Sequence, residues 1–152
     1  MKTLLFICIA FMLVFINGCK KDGTVYVAQY LDIAYNDNLG NDLLDPSNSN
    51  GFSSENIQLY TLVNNVKTEV YHPNLTYAHS FMIYKNDSLK LYFLRVFLED
   101  NTTFLQLNQN ITDTITCTID KSNGNSIIRK VWYNGDIKWE FGKVAPCITI
   151  KK

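Results

Sequence analysis

Asp37, Asn38, Asp42 and Asp45 crowd around Gly40 in the run at 36–45, NDNLGNDLLD. Carboxylate and carboxamide oxygens at such short spacing suit a hard cation such as Ca²⁺, which is coordinated through oxygen. The strict D-x-[DN]-x-[DN]-G spacing of a calcium loop is absent. Asn, Asp and Gly also fill ordinary turns, because they accept positive φ and bond to nearby backbone. A calcium site and a solvated connection are therefore both readings of this loop, and calcium is the one cofactor the sequence suggests.

The other reactive groups are few. The chain has four cysteines and two histidines. Cys8 and Cys19 fall near the N-terminus, which leaves Cys117 and Cys147 as the candidates for a disulfide. In TITCTI, at 114–119, Cys117 shares a strand face with two isoleucines; in CITI, at 147–150, Cys147 lies opposite them. Side chains alternate across a strand, so one thiol should point inward and the other outward. Pro146 can instead leave Cys147 in the loop before the strand, so the bridge stays open as a reading. His79 shares parity with Phe81 and Ile83 and reads as a partly buried structural histidine. The chain carries no G-x-S-x-G, H-E-x-x-H, C-x-x-C or P-loop. A carboxylate pair doing acid–base work meets in space and leaves no spacing to find; the reading is nonetheless of a protein that is not an enzyme.

Composition narrows the partners. Fourteen basic residues balance fourteen acidic ones with no basic cluster, which argues against nucleic acid. Low charge with nine Tyr and nine Phe points to a β-rich extracytoplasmic protein. Rings with polar tips suit interfaces and sugar platforms, and Tyr92, Trp132 and Trp139 are the candidate binding surface.

The N-terminus sets the location. Lys2 precedes an apolar run from Leu4 to Ile16, then Asn17-Gly18-Cys19 and Lys20-Lys21-Asp22. A positive start and a short apolar core describe an export signal. A spanning helix needs about 20 apolar residues, and this run stops short. Ile16-Asn17-Gly18-Cys19 resembles the lipobox of bacterial lipoproteins. The resemblance implies a cleaved signal peptide at 1–18, a lipidated Cys19 with a short tether at 19–23, and an exported domain at 24–152.

The elements that must position these residues read as short strands. TVYVAQYLDIAY at 24–35 is the first strand or strand pair, and 36–51 is a long loop. Strands at 57–63 and 66–72 flank Asn64-Asn65, a turn that needs positive φ. Further strands are expected at 78–84, 102–107 and 114–119, and 88–99 (SLKLYFLRVFLE) reads as the longest, apolar on both faces. Asn134-Gly135 predicts a type I′ hairpin. Uninterrupted pairing from that turn sets Trp132 against Ile137, Lys130 against Trp139 and Ile128 against Phe141. One face then collects Ile128, Trp132, Ile137, Trp139 and Phe141, with Lys130 over Trp139.

Eight to ten short strands without crossover helices argue an all-β fold, an antiparallel β-sandwich of immunoglobulin-like or prealbumin-like kind, in one domain. The 36–45 loop, between a strand and an Ile-x-Leu-Tyr strand, resembles the acidic loops of prealbumin-like repeats in bacterial surface proteins. Taken whole, the chain resembles small outer-membrane lipoproteins of Bacteroidota. That resemblance implies a membrane-anchored binding or accessory module for an envelope protein or a glycan. The alternatives are a structural subunit of an envelope complex and a glycan-active hydrolase.

Overall fold

The computed structural model describes residues 27–142 and 145–152; the expected export signal at 1–18, Cys19 and the expected tether at 19–23 lie outside these. The strands are β1 (Val27–Ala28), β2 (Tyr30–Asn36), β3 (Gln58–Val63), β4 (Val66–Glu69), β5 (Phe81–Asn86) and β6 (Leu91–Phe97). They continue as β7 (Thr102–Asn108), β8 (Ile111–Asp120), β9 (Ser126–Tyr133), β10 (Asp136–Glu140) and β11 (Cys147–Lys151). Two sheets form. The larger runs β1-β9-β8-β7-β3-β4, with β10 also beside β9, and the smaller runs β11-β2-β6-β5.

The two sheets pack as a single β-sandwich, as the strand pattern predicts. The pairing is mixed, not purely antiparallel, because β1 runs parallel to β9 and β11 parallel to β2. Strand directions give the sandwich two ends. At the near end lie the start of β1, the β3–β4 turn, the 70–80 segment and the connections at 98–101 and 121–125. At the far end lie the 37–57 loop, the turns at 87–90, 109–110 and 134–135, and Lys152.

Alternation builds the core. Leu31, Ile33 and Tyr35 of β2 and Leu94 and Val96 of β6 are fully buried, facing Leu105, Leu107, Ile115 and Val131 from the larger sheet. Each such side chain contributes roughly 1.5–3 kcal/mol by leaving water. The β6 segment, apolar on both faces, is an interior strand between β2 and β5. Its outward Phe93 is still only 4% exposed, with Tyr84 stacked on it at 5.9 Å. It is not the longest strand: β6 has seven residues, cut short by Lys90 at φ 55°, and β8 has ten.

Both turn readings hold. Asn64 and Asn65 take φ 52° and 64°, and Asn134 and Gly135 take 51° and 88°. The register beyond Asn134-Gly135 is corrected. Asp136 pairs Tyr133 and Ile137 pairs Trp132, but a bulge then sets Trp139 against Val131 and Glu140 against Lys130. A second irregularity, between Thr118 and Ile119, lets Ile128 and Val131 both face inward although three residues apart. Each bulge inserts one unpaired residue and so reverses the faces that follow. Trp139 is consequently core, at 5% exposed, while Ile137 and Phe141 stand out in water.

Candidate binding cleft at the far end

The far-end loop is held by side chains that cap its own backbone. Asp42 is its pivot: Oδ1 accepts from Leu44 N at 2.8 Å, and Oδ2 from Tyr92 N on β6, also at 2.8 Å. Its carbonyl accepts from Asn48 Nδ2 at 2.8 Å. Leu43 N donates to Tyr35 O at 2.8 Å, and Phe52 N to Leu43 O at 2.6 Å. These bonds close a compact loop against the smaller sheet. Gly51 is required there, since a Cβ would stand 2.7 Å from Leu43 O.

Between this loop and the sheet lies a cleft of about 450 Å³, lined by Leu44, Phe52, Ile83 and Tyr92 together with Asp45, Asn48, Ser49, Ser53 and Ser54. Ligand sites of small molecules occupy about 300–1,000 Å³, so the volume is in range. Its apolar members are buried or half-buried, and its serines are exposed. Asp45 is its one carboxylate. Backbone and hydroxyl bonds from Ser47 hold that carboxyl below its ordinary pKa, so it is charged at neutral pH.

The four oxygen-bearing residues read from the sequence are placed as follows. Asp37 accepts from Leu39 N and from the amide and backbone N–H of Asn41, and the Asn41 bonds lower its pKa most. Asp42 and Asp45 are engaged as described, in separate turns, and Asn38 is exposed. Among the described residues no group of three or more His, Cys, Asp or Glu converges on a metal position.

Tyr92 does line the cleft, and Lys85 Nζ lies 5.4 Å from its ring centroid. Trp132 is half-buried on the outer face of the larger sheet, with Lys130 Nζ 5.2 Å over it; Trp139 is buried, on the core side of β10 and away from the far-end cleft. The open disulfide reading is corrected too. Cys117 and Cys147 are both free, on strands of different sheets, Cys117 buried and Cys147 exposed. Their opposite parity, visible in the sequence, is the reason.

Two constellations escaped the sequence reading. On the outer face of the smaller sheet, Arg95 donates twice to Asp32 at 2.8 Å, Tyr84 OH donates to the same carboxylate at 2.9 Å, and the guanidinium lies 4.2 Å from the Tyr30 ring. Within the sandwich, Tyr35, Tyr133, Asp113, Asn134 and Lys152 form one chain of bonds. Sequence separations of 11 to 98 residues hide both. Phe52, Asn48 and the loop serines were missed because irregular loops carry no periodicity.

The fold is an all-β, two-sheet sandwich with a loop-built recess at its far end. Set against family models, curated proteins and solved structures, the chain shows no match.

Proposed function

We propose that this chain is a lipid-anchored extracytoplasmic module, tethered through Cys19 to the outer membrane, that binds a glycan in the far-end cleft. The carrying observation is the lining: aromatic and aliphatic surface from Phe52, Ile83 and Tyr92 under a fringe of hydroxyl and amide groups. Sugar rings offer an apolar face bordered by hydroxyls, and this pairing answers both. A single carboxylate in the cleft favours binding over cleavage, because glycoside hydrolysis ordinarily uses a flanking pair. The reading needs no metal, and a heat of binding on calcium titration would reverse that part.

The test is a glycan array probed with the folded protein and with Tyr92→Ala. Retention of a glycan class by the parent and its loss in the variant supports the reading. A parent that retains no glycan overturns it. Intact mass of the membrane-extracted protein reads the anchor separately, since acylation of Cys19 adds its own mass and Cys19→Ser removes it.

A second reading, an accessory subunit of an envelope complex, is favoured by the outer face of the larger sheet. Tyr60, Phe104 and Trp132 stand half-buried there, on strands that pair through Thr114 and Thr116. Cross-linking in intact cells that maps a stoichiometric protein partner to this face would favour it over the glycan.

A further inference from the structure

The two ends of the sandwich differ in kind. Eleven large apolar side chains stand exposed among the described residues. Three of them, Leu39, Leu89 and Ile137, are at the far end, and the other eight are at the near end. Val63 and Val66 flank the β3–β4 turn at 50% and 64% exposed, and Leu75 reaches 59% on the 70–80 segment beside Tyr71 and Tyr77. Two recesses with apolar walls open at this end as well. One, of about 370 Å³, is lined by Leu75, Tyr77 and Phe97, and the other, of about 230 Å³, by Ile128, Trp139 and Phe141. The far-end cleft is fringed by Ser and Asn instead.

Apolar surface gathered in this way marks contact with a partner or a membrane, and the path of the chain chooses between them. The first strand begins at the near end with Val27. From Cys19 to Val27 is 27 − 19 = 8 residues, which span at most about 28 Å when fully extended. The far end lies a further ~33 Å away, the length of ten-residue β8 at about 3.3 Å per residue. Lipid on Cys19 therefore holds the near end toward the bilayer. Among the described residues, the carboxylates at this end are already held by neighbours: Glu69 by His79 at 3.4 Å, Glu99 by His72 at 2.8 Å and Ser80 at 2.6 Å, Asp100 by Thr61 at 2.7 Å, and Asp120 by Arg129 at 2.6 Å.

We infer that the near end seats on the bilayer, with the β3–β4 turn and the Tyr71, Leu75 and Tyr77 segment in the headgroup layer. The geometry rests on the lipid-anchor reading above. Tyrosine suits that layer, because its ring is apolar and its hydroxyl is wet. The acyl chains supply the holding strength, and the apolar end sets the orientation. The glycan cleft then points away from the membrane.

The test reconstitutes the full lipidated chain into phosphatidylethanolamine–phosphatidylglycerol vesicles with brominated acyl chains. Tryptophan is introduced singly at the near end, as Leu75→Trp and Val63→Trp, and at the far end, as Leu39→Trp. The expected result is loss of most of the added emission for both near-end variants and none for Leu39→Trp. Equal quenching at the two ends, or none at either, overturns the inference. Intact mass keeps the two readings apart. A chain without acyl mass overturns the anchor, and the same three variants added to vesicles as soluble protein then read the apolar end by itself.

Discussion

The hydroxyl of Tyr35, on the smaller sheet, meets that of Tyr133, on the larger, at 2.8 Å inside the core. Tyr133 OH in turn donates to Asp113 Oδ2 at 2.7 Å, so Tyr35 is the donor and Tyr133 the relay. Burial pushes both phenols far above their ordinary pKa, and they remain protonated donors. The chain of bonds joins the two sheets where the C-terminal Lys152 closes on Asp113 at 2.6 Å. Replacing the relay strips a buried donor from Asp113 and a buried acceptor from Tyr35, at about 1–3 kcal/mol for groups left unpaired. Tyr133→Phe should therefore destabilise by more than Tyr35→Phe, which ends the chain without breaking it. Urea denaturation of the three proteins reads the order directly.

Asp113 also sets an acid limit. Burial disfavours its charge, yet bonds from Lys152, Asn134 and Tyr133 prevail and hold its pKa below the ordinary value. The folded state thus takes up this proton less readily than the unfolded chain. Its contribution is complete above the unfolded carboxylate pKa of about 3.9 and is lost as the pH falls below it. Melting temperature should fall on acidification through that window, and the slope should be shallower in Asp113→Asn, with both profiles read by circular dichroism.

The two body cysteines should react at different rates. Cys147 is exposed on β11, whereas Cys117 is 2% exposed and burial pushes its thiol up to about 11. The thiolate is the reacting species, so Cys117 should be silent to Ellman's reagent until the domain unfolds. One body thiol titrating quickly and a second only in guanidinium is the expected result. A domain that shows neither thiol after unfolding would contain the bridge this structure lacks.

Glycine at 51 is a packing requirement, and at 135 a backbone one. Gly51→Ala drives a Cβ to 2.7 Å from Leu43 O and should cost about 1–3 kcal/mol, the range for overpacking, while weakening any ligand of the cleft. Gly135→Ala meets nothing within 4 Å, but its φ of 88° strains a side-chain-bearing residue, at about 1 kcal/mol. Thermal melts of both variants, with glycan affinity measured on each, separate the two effects.

The all-β class, the two Asn-based hairpins and the opposite parity of Cys117 and Cys147 were all legible along the chain. Each depends on alternation or on turn chemistry, which act over a few residues. The far-end loop was legible only as a loop. Its three candidate carboxylates, Asp37, Asp42 and Asp45, accept bonds within separate turns, and only folding sets Asp42 against the Tyr92 backbone fifty residues away. Alternation also misplaced Trp139, because a bulge shifts the register by one residue and no local signal marks where a strand will take one. The parallel pairings of β1 and β11, the Tyr35–Tyr133 relay and the sorting of apolar side chains to one end belong to tertiary structure alone. Local sequence governs φ, ψ and the facing of side chains. Which strands become neighbours depends on how two whole faces bury each other, and that balance is struck only when the sheets meet.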